Sequence, residues 1–264
     1  MIAPEALQAL HDLQEAGLTA IAVTGRPVGW SVPCARHWPL HALVAENGAV
    51  ALLCESALPP ALAAAMPADR IERVASANGS DALLKLYQQD ATTRARNHAR
   101  LQQVAALVQR AVPGAVLARD SAGRETDIAI DHSEFTQLPA AQIAQVVAVM
   151  QEAGLNASIS SIHINGWIGE HDKWQGACWI TRELLGRELP AEIERWVYVG
   201  DSTNDQVMFQ HFTHSVGVAN IRRFEHALRH RPRYITRGER GAGFAEVVRR
   251  LLAARSARAG KGGA

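Results

Sequence analysis

Cysteine is the first scarcity of this chain. Cys34, Cys54 and Cys178 stand far apart in 264 residues and form no CxxC pair, which excludes a disulfide framework and a structural zinc site. No apolar run approaches the length of a membrane span. The amino terminus shows no basic stretch followed by an apolar one, so no secretory leader is expected and the cytoplasm is the expected compartment. An excess of one charge is also missing. The 27 Lys and Arg against 26 Asp and Glu leave a net charge of +1, which argues against a nucleic-acid surface. Neither GxGxxG nor GxxxxGKS occurs, which counts against a nucleotide-binding loop. Internal repeats and long low-complexity segments are absent too, and only the Gly-rich end, Gly260 to Ala264, is expected to fray.

What is present is ordinary globular material. Hydrophobic content is 48% and charged content 20%, and the length suits one large domain or two small ones. Pro4 to Ala16 reads as a helix ended by Gly17. Leu18–Val23 and His41–Ala45 read as strands, and the turn Glu46-Asn47-Gly48 leads to Ala49–Leu53 in a hairpin. The middle of the chain changes character. A long helix over Arg94 to Val112 precedes strands at Val116–Arg119 and Thr126–Ile130. A helix at Pro139–Ala153 and a strand at Ala157–Ile164 follow. Alternation then resumes, with a helix at Trp174–Leu185, a strand at Arg195–Val199, a helix at Gln206–Phe212, strands at Ser215–Ala219 and Arg233–Thr236, and a last helix at Phe244–Ala254. The expected fold is therefore α/β with a parallel sheet, interrupted by a smaller α+β domain of strand–strand–helix–strand order. That domain is placed at 78–165, leaving 1–77 and 166–264 as the main domain.

Three stations carry the chemistry. Thr24-Gly25-Arg26-Pro27 puts a hydroxyl at a strand end beside exposed amides, which suits a phosphate oxygen. Lys173 opens a helix, where its charge can offset carboxylates and phosphate. Asp201 and Asp205, in Gly200-Asp201-Ser202-Thr203-Asn204-Asp205, put hard oxygen ligands at the carboxyl end of a buried strand, where α/β sheets bind ligands; Mg²⁺ suits such a pair. Each has a plain structural counterpart: a turn, a solvated lysine, and a helix cap with a first-turn acid. In the middle domain Arg124, Glu125, Asp127, Asp131, His132 and Glu134 cluster around one strand. Asp127 and Asp131 share a face, and His163 is a further polar candidate. Trp30 and Asn47 each follow a strand and are candidates for a pocket mouth.

Taken in order, these stations resemble the haloacid dehalogenase (HAD) superfamily of phosphohydrolases, in the Cof-like subfamily IIB with a large cap between the second and third motifs. Thr24 matches the second-motif hydroxyl, Lys173 the third-motif lysine, and Asp201 and Asp205 the fourth-motif acids. Glu46-Asn47-Gly48-Ala49, Ser161 to Trp167 and Gly217 to Asn220 are similar to family segments as well. The resemblance implies a Rossmann-like core with an inserted cap over 78–165. It implies Mg²⁺ at Asp201 and Asp205, and Thr24 and Lys173 as catalytic groups. Gly25, Arg26, Asn47 and Asn204 would meet phosphate or substrate, and Asp127, Asp131 and His163 would choose it. The implied activity is hydrolysis of a small phosphorylated metabolite such as a sugar phosphate, through an aspartyl-phosphate.

One element of that resemblance is missing. The family's first motif, a strand followed by Asp-x-Asp-Gly-Thr, supplies the nucleophile and the acid/base, and no Asp-x-Asp occurs in the sequence. Asp127 and Asp131 lie too far along the chain to replace it. The expectation is that Met1 is an internal start, that the central strand is absent at the amino terminus, and that the chain as it stands is inactive. The alternative is a non-catalytic phospholigand-binding pseudoenzyme.

Overall fold

The computed structural model describes residues 2–74 and 81–259; Met1, the first residues expected in the cap and the Gly-rich end lie outside the described residues. In chain order, α1 (Pro4–Glu15), β1 (Ile21–Val23), α2 (Val28–His37), β2 (Ala42–Ala45), β3 (Val50–Cys54), α3 (Pro60–Ala65), β4 (Ile71–Val74) and β5 (Leu83–Tyr87) come first. Then follow α4 (Ala91–Ala111), β6 (Val116–Leu117), β7 (Asp127–Asp131), α5 (Ala140–Glu152), β8 (Asn156–Ile159), β9 (His163–Trp167) and α6 (Lys173–Leu185). The chain closes with β10 (Val197–Gly200), α7 (Gln206–His211), β11 (His214–Gly217), β12 (Tyr234–Ile235) and α8 (Arg240–Ala259). It divides into two compact units. The first gathers Met1–Ile21, Trp38–His41 and Glu188–Ala264, and the second gathers Ala22–His37 and Ala42–Arg187.

In the first unit β10, β11 and β12 form a parallel sheet in that order, with Val199 opposite Val216 and Gly217 opposite Ile235. Parallel neighbours need a crossover, and α7 supplies it between β10 and β11. Phe209 of α7 packs with Ile221 and Leu228, against Tyr198 and Ile235. Ala9, Leu10 and Leu13 of α1 pack against Ala245 and Val248 of α8. β10 is half-buried along Val197–Val199, not the fully buried strand its apolar run suggests, and it ends its sheet among the described residues.

The second unit holds two sheets. One has the order β1-β2-β3-β5-β4. The hairpin expected around Glu46-Asn47-Gly48 is there, pairing Leu43 with Leu52 and Ala45 with Val50. β5 pairs with β3, Leu53 opposite Leu84. Leu43, Val44, Val50, Leu52 and Leu86 are essentially inaccessible; each such side chain contributes about 1.5–3 kcal/mol of burial. The other sheet has the order β6-β7-β9-β8, antiparallel throughout. Here the single strand expected over Ala157–Ile164 is two strands, β8 and β9, folded back at Ser160–Ile162 so that Ile159 meets Ile164. Ser160 makes that turn, since its hydroxyl accepts from His163 N at 3.0 Å, a local bond that competes with a continuous strand. Ile128, Ile130 and Ile164 face Leu101, Val104 and Val108 of α4 and Val146 and Met150 of α5, forming the core of this layer. Alternation then sends Asp127, Asp131, His163 and Asn165 to the other face of the sheet.

Candidate functional site

The Thr24 loop is built on the hairpin beside it. Thr24 N continues the ladder to Val44 O at 2.8 Å, and Thr24 O accepts from Asn47 N at 3.0 Å. The Thr24 hydroxyl accepts from Arg26 N at 3.1 Å. Three successive residues, Glu46, Asn47 and Gly48, have positive φ, at 49°, 56° and 114°. This strained turn carries Asn47 back over the loop. A Cβ at Gly25 would lie 2.9 Å from Asn47 Oδ1, so a larger residue there would have to push the amide aside. Asn47 is 3% exposed, and its Nδ2 has no hydrogen-bond partner among the described residues. Gly48 in turn lies against the start of α6. A Cβ at Gly48 would overlap the Asp172 carbonyl, and one at Gly176 would overlap the Gly48 backbone. Asp172 caps α6 by accepting from Gln175 N at 2.8 Å. Lys173, the first helical residue, is buried. One chain of contacts therefore joins Thr24, Gly25, Asn47 and the head of α6.

Glu46 is the residue that composition and spacing did not single out. It is fully buried, and Oε1 accepts from Val28 N and Glu125 N, each at 3.0 Å. Oε2 accepts from Thr126 N and the Thr126 hydroxyl, each at 2.6 Å. Burial, reinforced by the nearby Asp127 carboxylate, pushes the Glu46 carboxyl up to about 7. The signal in the sequence was a charge directly after the wholly apolar strand Ala42–Ala45, which a turn reading conceals.

The polar face of the four-stranded sheet meets the same loop. Arg124 Nη1 donates to the Gly25 carbonyl at 3.2 Å and to Asp127 at 2.8 and 3.1 Å, and Nη2 reaches Asp120 at 3.1 Å. Asn165 Nδ2 donates to Asp127 at 3.0 Å. Burial raises the Asp127 carboxyl, and the Arg124 guanidinium opposes it. Asp131 does a different job. Its carboxylate accepts from Ser133 N, Glu134 N and Phe135 N at 3.1, 2.8 and 2.9 Å, ordering the loop after β7. His163 Nε2 lies 2.9 Å from Glu134 Oε2, and burial lowers its pKa. Arg26 reaches Asp120 at 3.3 Å and Glu134 at 3.5 Å. So Arg26, Asp127 and His163 are brought together around Gly25, while Asp131 serves its own turn. His171, near the head of α6, is buried with Nε2 unpartnered among the described residues, and burial lowers it to about 4.

The acidic loop belongs to the first unit. Asp201 is exposed after β10, and its Oδ2 accepts from Asn220 Nδ2 at 3.1 Å. Asp205 is buried, and its carboxylate accepts from the Tyr198 hydroxyl at 2.6 Å, Asp201 N at 2.7 Å and Ser202 N at 3.0 Å. With Ser202 it forms a capping box. Asn204 Oδ1 accepts from the Ser202 hydroxyl at 2.6 Å. A cavity of about 220 Å³ opens here, lined by Gly200, Asp201, Val218, Arg240 and Phe244 among others. Mg²⁺ takes one or two carboxylates and fills its remaining positions with water and phosphate oxygens. Exposed Asp201 suits such an ion. Asp205 fits less well as a direct ligand, because its oxygens already order the loop. Among the described residues no cluster of three His, Cys, Asp or Glu side chains is placed to hold a metal.

No family model matches the chain, and no curated protein matches it. Solved structures do. The chain is similar to a Thermoplasma acidophilum protein at 13% identity and a TM-score of 0.64, covering 96% of this chain and 91% of that one. It is similar to the sucrose-phosphatase of Synechocystis, solved with sucrose and phosphate, at 13% identity and a TM-score of 0.61, covering 94% and 92%. It is similar also to a candidate HAD/COF-like hydrolase from Plasmodium vivax at 14% identity and a TM-score of 0.57, covering 94% and 88%. At these identities the likeness is one of fold: the chain shares with these structures a mixed α/β architecture with parallel strands.

Proposed function

We propose that this chain is a phosphohydrolase-type protein of the HAD superfamily, large-cap class, whose ligand is a small phosphorylated metabolite, a sugar phosphate. The observation that supports the reading is the run of contacts from the Thr24–Gly25 loop through Asn47 and Gly48 to the start of α6, the helix that Lys173 opens. Hydroxyl, amide and ammonium donors at a capped helix start suit a phosphate dianion. The fold shared with a sucrose-phosphatase solved with sucrose and phosphate supports the substrate class. Under this reading 78–165 is the cap, and Asp201 is the residue that would hold Mg²⁺, which when bound neutralises charge on the phosphoryl group. No helix among the described residues is long and apolar enough to cross a membrane; with three cysteines not paired in disulfides, a cytoplasmic setting suits the chain.

Turnover is a separate matter. Attack on phosphorus needs a positioned carboxylate, and no Asp-x-Asp pair occurs in the sequence. We therefore expect binding without hydrolysis. The second reading, a non-catalytic phospholigand-binding protein, is favoured by the use of Asp205 to order its own loop. Calorimetry with inorganic phosphate and hydrolysis of p-nitrophenyl phosphate with Mg²⁺ test both. Phosphate affinity should fall at least about tenfold in Lys173→Ala, the loss of a charge-assisted bond, and hydrolysis should stay at background. Unchanged phosphate affinity in both Lys173→Ala and Asn47→Ala would sink the binding reading. Mg²⁺-dependent hydrolysis that disappears in Asp201→Asn would sink the expectation of no turnover.

A further inference from the structure

Trp30 and Phe135 are exposed aromatic side chains of the second unit, at 39% and 56%. Charged groups join them. The Arg26 guanidinium lies over the Trp30 ring at 5.6 Å, and that of Arg119 over the Phe135 ring at 3.7 Å. Arg26 also bridges Asp120 and Glu134, the sequence neighbours of Arg119 and Phe135. The side chains of Arg26, Asp120 and Glu134 remain 31%, 21% and 26% exposed, so the patch is wet and accessible. It begins two residues after Thr24.

The chemistry of the patch narrows its ligand. Two guanidinium and two carboxylate groups sum to zero charge, which gives a polyanion no field to follow. An apolar protein partner would have to desolvate all four charges, at a cost their mutual pairing does not recover. Two exposed aromatic rings, linked through Arg26 and its ion pair with Glu134, offer apolar faces beside charged groups. Aromatic faces ringed by carboxylate acceptors and guanidinium donors match a ring that is C–H on its faces and hydroxyl around its edge. We propose that Trp30, Phe135, Arg26, Asp120 and Glu134 form the subsite for the glycosyl ring of a phosphorylated sugar. The proposal deepens the function proposed above and rests on it for the phosphate end of the ligand.

Calorimetry on the full chain tests it, with inorganic phosphate, glucose 6-phosphate, sucrose 6-phosphate and adenosine monophosphate as probes. At least one sugar phosphate should bind tenfold or more tighter than inorganic phosphate. Trp30→Ala and Phe135→Ala should each remove most of that gain while leaving phosphate affinity within twofold, and Glu134→Gln should weaken it threefold or more. Tyr234→Ala, which removes an exposed aromatic of the first unit, should change nothing. Circular dichroism confirms that the variants fold. The subsite is overturned if sugar phosphates bind no tighter than phosphate, if the gain survives in both aromatic variants, or if adenosine monophosphate gains more than either sugar. It is equally overturned if the aromatic variants instead dissociate a self-associated wild type. Tight sugar-phosphate binding lost in the aromatic variants, in a chain that ignores inorganic phosphate, would support the ring subsite and sink the phosphate reading.

Discussion

Glu46 and His171 are buried ionisable residues pushed in opposite directions. Glu46 is raised from 4.5 to about 7, and His171 is lowered from 6.5 to about 4. Between pH 4.5 and 7 the unfolded chain has released the Glu46 proton that the folded chain keeps, so stability from this group is full below 4.5 and falls as pH rises to 7. Between pH 6.5 and 4 the unfolded chain takes a proton on His171 that the folded chain refuses, so stability is full above 6.5 and falls as pH drops to 4. Each shift corresponds to about 3 kcal/mol, and over pH 4.5 to 6.5 the two slopes oppose one another. Urea unfolding across that range should therefore show Glu46→Gln gaining stability with pH relative to wild type, and His171→Leu losing it. Parallel curves for all three chains would show that neither group carries its shift. Glu46→Gln should also cost about 1–3 kcal/mol at neutral pH, because its amide NH₂ must face one of the donors that now point at the carboxylate. The two residues differ in how visible they are in the sequence. Thr24, Lys173 and Asp201 stand at element ends, where residue type and position together suggest chemistry. Glu46 looks like a turn residue, because the Glu125 and Thr126 amides that bury it come from a segment 79 and 80 positions away.

At the scale of elements, the hairpin turn and α6 meet through two glycines. Gly48 and Gly176 leave no room for a Cβ between them. Gly176→Ala should force the turn off the helix and cost about 1–3 kcal/mol, the range for overpacking. Gly186→Ala, at a helix end with φ of 61° and nothing within 4 Å of the added Cβ, should cost about 1 kcal/mol. Equal costs in chemical denaturation would mean that the contact is loose and that Lys173 is not held by it. Elements with clear periodicity were legible: α1, the β2–β3 hairpin, α4, α5 and α6 fall within a few residues of their sequence expectations. α2 was hidden because Pro27 and Pro33 read as breakers. Pro33 lies inside the helix, where it cannot donate to Gly29 O, and Gly29 is also where the helix backbone approaches Gly123. The β8–β9 turn was hidden because Ser160 to Ile162 carries neither glycine nor proline, and a hydroxyl makes the turn instead.

At the scale of the whole molecule, alternating helices and strands with an antiparallel insert were enough to give the α/β class. The pairing of β5 with β3 was not legible, because register between strands separated by a long loop depends on packing rather than on local pattern. Domain membership is likewise a matter of which segments return to each other. The first unit is made from both ends of the described chain: α1 packs on α8, and Arg255 donates to the Ala16 carbonyl at 2.7 Å across 239 positions. The second unit lies almost wholly between them.

That arrangement fixes an order of events during synthesis. α1 is made well before Ala245 and Val248, which pack on its apolar face and emerge more than 200 residues later. At about 5–20 residues per second α1 waits on the order of ten seconds or longer for the part of its cover that α8 supplies. The second unit has all its partners by Arg187 and can close in the meantime. Nascent chains stalled with 187 residues extruded should therefore show protease protection across 42–74 and 81–187 and cleavage within 4–15. Protection of 4–15 before residue 248 has emerged would mean that α1 finds a different, transient partner. The same wait makes α1 a ready handle for a chaperone that holds apolar helices, and places the commitment to the first unit after α8 has been made.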